Sequence, residues 1–164
     1  ILELGYKAVF LDRDGVINEV RKDYVKDVSE FKLIEGSLDA IKLLKEKKFL
    51  VIIITNQSAI NRGLLPVENL NKIHELLKIK LNKLNTFVDG IYFCPHTPEE
   101  NCHCRKPRSG LLLKAAQEHN IDLENSLMIG DSQTDILAAK NAGCNSILLK
   151  KNQRLVDLVR ELAS

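Results

Sequence analysis

Residues 7–18 read KAVFLDRDGVIN, an unbroken apolar run that ends in two acids one residue apart. A strand buried on both faces of a parallel sheet has this continuous character, without alternation. Open α/β sheets gather their ligands at the carboxyl ends of strands, so Asp12 and Asp14 stand where a site forms. Residues 127–135, LMIGDSQTD, repeat the pattern, with Asp131 and Asp135 after the apolar Leu127 to Ile129. Carboxylates gathered in one place repel each other unless something positive sits between them, and oxygen donors of this kind suit a hard cation such as Mg2+.

Outward from these two segments, short β runs alternate with helical patterns. Strands are expected at Lys7–Leu11, Leu50–Ile54, Gly90–Phe93, Ser126–Ile129 and Ser146–Leu149. Helices are expected at Ser37–Lys47, Pro66–Leu84, Ser109–Asn120, Gln133–Asn141 and Arg154–Leu162. The longest carries Leu70, Ile73, Leu77, Leu81 and Leu84 at helical spacing, with Pro66 suited to its first turn. Alternation of this kind gives an α/β three-layer sandwich around a parallel, Rossmann-like sheet. Two stretches, Asn18–Leu33 and Cys94–Arg108, show no periodicity, and long irregular stretches in a compact domain are usually functional.

The chain has 164 residues, 45% apolar and 28% charged, which fits one globular domain spanning residues 1–164. A net charge of +2 is too small to imply a nucleic-acid or membrane partner. No apolar run approaches the ~18 residues that span a bilayer. The amino terminus does not read as a signal peptide, which makes cytoplasm the expected location. Monomer is the expected state.

Each polar residue of interest follows a strand: Asp12 and Asp14 the first, Thr55 and Asn56 the second, Arg105 and Lys106 the third, Asp131 the fourth. Carboxylates, hydroxyl and amide donors and cations on one rim are what phosphoryl transfer requires. A single such acid could be a helix cap or a solvated turn, but the ensemble argues otherwise. DRDG lacks the ligand register of an EF-hand and follows a strand. No Gly-x-x-x-x-Gly-Lys-Ser/Thr loop is present.

The order Asp-x-Asp-Gly, Thr-Asn, a downstream Lys and Gly-Asp-x-x-x-Asp resembles the four motifs of the haloacid dehalogenase superfamily. The resemblance runs from Asp12 to Asp135 and implies a phosphatase. By it, Asp12 would be the nucleophile and Asp14 the general acid and base. Mg2+ would be held by Asp12, Asp131 and the main-chain carbonyl of Asp14. Thr55 and Asn56 would donate to phosphoryl oxygens, Lys106 would neutralise charge, and Arg105 would reach the substrate. Asp135 is expected to orient the rim rather than bind metal. The intervals from Asp12 to Thr55 and from Thr55 to Lys106 leave no room for a separate cap domain. Substrate contacts would come from Asn18–Tyr24, Ser58–Gly63 and the loop before Lys106. Within them Arg21, Lys22 and Arg62 could meet a second phosphate, against the plainer reading of Arg21 and Lys22 as solvated charge.

Cys94-x-His96-x5-Cys102-x-Cys104 supplies three thiolates and an imidazole, the closed Cys3His set of a structural Zn2+ site. Its expected role is to pin the loop that presents Arg105 and Lys106. His103, His74 and His119 are not expected to be ligands, the last two lying on helical patterns as surface residues, and Cys144 reads as a packing residue. CPH followed by CxCRKP resembles two zinc-containing phosphatase families, those acting on heptose bisphosphate and on histidinol phosphate. DRDGVIN, TNQS with NRG, and GIYFCPH resemble the heptose group. The five-residue gap between His96 and Cys102 resembles the histidinol-phosphate group. The resemblance therefore implies a small phosphorylated metabolite as substrate, heptose 1,7-bisphosphate (losing its 7-phosphate) first and histidinol phosphate second.

Overall fold

A computed structural model describes residues 5–164; the reading of the amino terminus at residues 1–4 lies outside that range. Among the described residues five strands form one wholly parallel sheet: β1 (Ala8–Leu11), β2 (Leu50–Asn56), β3 (Gly90–Cys94), β4 (Leu127–Gly130) and β5 (Asn145–Leu148), in the order β3-β2-β1-β4-β5. The helices are α1 (Ser37–Glu46), α2 (Val67–Lys83), α3 (Gly110–His119), α4 (Gln133–Ala142) and α5 (Leu155–Ala163).

Side chains alternate across each strand, and the two resulting faces carry separate cores. Val9 and Leu11 of β1 with Val51 and Ile53 of β2 pack against buried residues of α1, α2 and α5. Ala8, Phe10, Ile52 and Ile54 pack on the opposite side against α3 and α4. Both faces are covered, which explains the uninterrupted apolar runs and completes the three-layer sandwich.

The chain builds outward from β1 to β2 and β3, then crosses back to place β4 on the other side of β1. Crossovers of one hand then put α1 and α2 on one face and α3 and α4 on the other. The reversal leaves a crevice between the carboxyl ends of β1 and β4, where ligands bind in such sheets. Asp12 and Asp131 follow these two strands.

The boundaries differ from expectation in two instructive places. Strand β2 continues through Thr55 and Asn56, which pair with Phe93 and Cys94 of β3, so these two residues sit on the sheet itself. Pro66 caps α2 from an extended conformation instead of entering its first turn. The stretch 18–33 holds isolated bridges and one 3-10 turn at Val28–Glu30, and 94–108 holds another at Pro98–Glu100.

Candidate active site

The turn after β1 is closed by Gly15, whose φ of +87° lies in the left-handed region that glycine adopts without strain. A Cβ on Gly15 would also fall 1.9 Å from Oδ2 of Asp131, so the missing side chain is what lets the two acidic segments meet. Gly130 does the same for Asp135, since a Cβ there would lie 2.3 Å from the Asp135 Cβ. Asp135 is buried in the first turn of α4, where it forms a capping box with Ser132; an acid is favoured at that helix end.

Carboxylate oxygens of Asp12, Asp131 and Asp135 all come within 4.8 Å of one another. Lys106 is buried beside them, with Nζ 3.0 Å from Asp12 Oδ1, 2.5 Å from Asp135 Oδ1 and 3.1 Å from the Ile54 carbonyl oxygen. Burial pushes the Asp12 carboxyl up, against the pull of Lys106; Asp135, Asp14 and Asp131 add to the rise, and it reaches about 8. Burial and then Asp135 also raise Asp131. For Lys106, burial opposes the charge, yet Asp12 and Asp135 outweigh it and its pKa is raised. Hard oxygen donors carrying more negative charge than one lysine offsets form a set that fits a divalent cation of the Mg2+ type.

The Asp14 side chain stands apart from this cluster. Its Oδ1 accepts from Arg13 (2.7 and 3.1 Å) and from Asn18 (2.9 Å), and its Oδ2 accepts from Gln57 at 3.0 Å. Gln57 also donates to the hydroxyl of Thr55, which is buried. Asn56 holds the next segment: its Oδ1 accepts from the Lys106 amide at 3.1 Å and its Nδ2 donates to the Lys106 carbonyl at 3.3 Å. The side chain expected to touch phosphate is therefore engaged in fixing Lys106.

Asp14 opens onto a cleft of about 270 Å³ lined by Arg21, Tyr24, Ser58, Arg62 and Arg105 among others. All three loops expected to meet substrate contribute to it. Ser58 Oγ accepts from Arg62 at 3.3 Å, and Arg105 reaches the His96 carbonyl at 3.4 Å. Arg21 is engaged by Asp23 and Glu30, and Lys22 is exposed away from this lining.

Cys94, His96, Cys102 and Cys104 form the second convergent group, with all four cysteines free. Cys94 and Cys102 sulfurs lie 3.5 Å apart, Cys104 and Cys102 3.6 Å, and His96 Nδ1 lies 3.3 and 3.2 Å from Cys94 and Cys104. A tetrahedron of ligands about 2.0–2.3 Å from its centre has edges of roughly 3.3–3.8 Å, so this set fits Zn2+. Burial pushes the Cys94 thiol up. It opposes ionisation of Cys102 too, but the Arg105 amide and the neighbouring thiols outweigh it and bring Cys102 down to about 7. His103 lies outside the group. Cys144 packs in the core beside α4.

Two residues escaped the sequence reading. Arg13 is fully buried, binding Asp14 and lying over the Phe31 ring with its guanidinium carbon 5.6 Å from the centroid. His74, expected on the surface, is buried with 7% exposure and its Nε2 lies 3.1 Å from Arg13 Nη1. A signal was present: position 74 lies four residues after Leu70 and three before Leu77, on the apolar stripe of α2.

A parallel sheet that presents paired acids at the β1 and β4 ends is the architecture of the haloacid dehalogenase (HAD) hydrolases, and the HAD-hydrolase-like family matches residues 103–163. The resemblance extends much further in individual proteins. A D-glycero-beta-D-manno-heptose-1,7-bisphosphate 7-phosphatase of Helicobacter pylori (strain J99) is 47% identical over 148 residues, 89% of this chain and 84% of that one. The protein of the same name from Yersinia pestis is 40% identical over 164 residues, 96% of this chain and 87% of its own. The crystal structure of the D,D-heptose 1,7-bisphosphate phosphatase from B. bronchiseptica, complexed with magnesium and phosphate, superposes with a TM-score of 0.89 at 33% identity, covering 95% of this chain and 97% of that chain. The chain belongs to this family of HAD phosphatases and is a phosphoric monoester hydrolase. Among the described residues no helix is long and apolar enough to cross a membrane.

Proposed function

We propose that this chain, acting as one domain, removes the 7-phosphate of D-glycero-D-manno-heptose 1,7-bisphosphate through a phosphorylated Asp12. The observation that carries the chemistry is the meeting of Asp12 and Asp131 within reach of a shared ion, with Lys106 already on the nucleophile. A Cβ at Gly15 would abolish that meeting.

An oxygen of Asp12 attacks phosphorus, and the bond from phosphorus to the leaving oxygen breaks. That oxygen keeps the electron pair and takes the proton of Asp14. A water molecule then attacks the same phosphorus while Asp14 removes its proton, and phosphate departs with the Asp12 carboxylate restored. Asp12 and Asp131, with the Asp14 main-chain carbonyl, would hold Mg2+, whose charge would neutralise the phosphoryl oxygens. Lys106 balances Asp12 and is kept at the rim by Asn56. Asp135, bound to Lys106 and to its own helix cap, orients the rim.

The substrate reading rests on the relatives' names and is supported by the cleft beside Asp14, where Arg62 and Arg105 make no ion pair among the described residues. Guanidinium groups there suit the second phosphate of a bisphosphate. Cys94, His96, Cys102 and Cys104 would bind Zn2+ as a structural ion that fixes Arg105 and Lys106. Cysteines used as metal ligands and not as disulfides suit a reducing compartment such as the cytoplasm. The five-residue gap that resembles histidinol-phosphate enzymes carries less weight than two near-full-length relatives of the heptose family. Phosphate release from a panel with Mg2+ present tests the reading: heptose 1,7-bisphosphate is expected to be preferred, and a clear preference for histidinol phosphate would overturn it.

A further inference from the structure

Asp14 is the residue whose carboxyl group must face the leaving oxygen, and its orientation has a built source. Three donors converge on Oδ1: two nitrogens of Arg13 and the amide of Asn18. Among the described residues only Gln57 reaches Oδ2. A carboxyl oxygen has two lone pairs in plane, so Oδ1 is saturated and Oδ2 keeps an open position beside the cleft. Arg13 itself has no freedom to drift. It is wholly buried, lies over Phe31, and its Nη1 donates to Nε2 of His74, a residue of α2 distant from the reacting groups in sequence. His74 is neutral, since burial and then the Arg13 charge bring it down to about 3, which leaves Nε2 able to accept.

We infer that Arg13, locked from behind by His74, is the positioning residue that turns Asp14 so that Oδ2 meets the leaving oxygen. This rests on the reaction proposed above. When the phosphorus–oxygen bond breaks, the departing alkoxide keeps the electron pair and takes the Asp14 proton. A poor leaving group depends on that transfer, whereas a nitrophenolate leaves without it. Loosening Arg13 therefore slows the first step selectively with alkyl phosphates, which loss of general structure would not do, while the water attack that follows is common to both esters.

The experiment compares, with enzyme in excess and Mg2+ present, the single-turnover release of the sugar from heptose 1,7-bisphosphate and of nitrophenol from p-nitrophenyl phosphate, for the unaltered chain, His74→Leu and His74→Gln. His74→Leu is expected to lose roughly tenfold or more in the rate of that release from the alkyl ester, part of what a general acid contributes. Release of nitrophenol from the aryl ester is expected to hold within about threefold. His74→Gln, whose amide oxygen can accept from Arg13, is expected to recover most of the loss. Should His74→Leu fail to melt cooperatively, Arg13→Lys, which keeps the charge but loses the fork, is expected to show the same selective defect. Equal losses on both esters, or none, would overturn the proposal. An unaltered chain inert towards both esters would instead overturn the reaction on which it rests.

Discussion

Two groups of ligand-bearing side chains share one rim of the sheet and are built on opposite principles. Asp12, Asp131 and Asp135 stand on strand ends and on the first turn of α4, held by the sheet and by two close glycine contacts, with Lys106 in their midst. Cys94 ends β3, but His96, Cys102 and Cys104 lie on a stretch whose regular structure is one 3-10 turn. The first group is positioned by the fold whatever it binds. The second is proposed to position the chain around it, and the substrate-binding candidate Arg105 and the catalytic candidate Lys106 follow its last member. On the proposed roles, chemistry and scaffold are divided between neighbouring clusters, and perturbing each is expected to leave a different signature.

The largest effect falls on the carboxylate side. Asp12→Asn is expected to lower turnover by on the order of 10⁴-fold, as removal of a covalent nucleophile does, in a steady-state assay with Mg2+. Its melting temperature without added Mg2+ is expected to hold or rise at neutral pH. The folded Asp12 carboxyl is pushed up to about 8, so its ionised form opposes folding above the unfolded value, and the neutral amide relieves that. Survival of activity would remove Asp12 as nucleophile.

Next is Lys106→Met, which strips the positive partner from two buried acids. Breaking a buried pair by deleting one member costs roughly 3–5 kcal/mol, read by urea unfolding. A loss confined to activity would mean that Lys106 is not the counter-ion on which the rim depends.

Metal removal separates the two clusters directly. Withdrawing Mg2+ is expected to stop turnover with little change in melting temperature, because the sheet holds the acids. Stripping Zn2+ is expected to lower the melting temperature by roughly 5–10 °C, about 2–3 kcal/mol for a chain of this size. Activity follows it down because Arg105 and Lys106 lose their anchor. Unchanged melting of zinc-free protein would leave the cysteine group without its structural role.

The two regions also differ in how plainly the chain announces them. The strands and the acids after them are local features: apolar runs and one-residue spacings survive any tertiary arrangement, and so the rim was legible at Asp12, Thr55, Lys106 and Asp131. The cysteine spacing was equally visible. What stayed hidden depends on distant partners. Arg13 is charged and sits between two acids, a setting that reads as solvent until Phe31 and His74 close over it. Asn56 carries the amide that phosphate binding would want, and only the arrival of the Lys106 backbone opposite β2 shows where that amide goes. Asn18 belongs to a stretch without periodicity because it wraps the Asp14 carboxylate.

His74 offers the subtlest test of this distinction, since its burial was the feature furthest from view. Its folded value is lowered from 6.5 to about 3 by burial and by Arg13. Between those two values the unfolded chain binds a proton there and the folded chain does not. Stability supplied by the neutral ring is therefore complete above about 6.5 and is lost as pH falls, with a slope of at most about 1.4 kcal/mol per pH unit. Urea unfolding of the unaltered chain and of His74→Gln between pH 7 and pH 4.5 isolates it. The carboxylates titrate alike in both proteins, so the difference in slope belongs to position 74. The unaltered chain is expected to weaken more steeply on acidification, by close to one proton's worth. Parallel curves would show a solvated imidazole, and the bracing of Arg13 from α2 would fall with it.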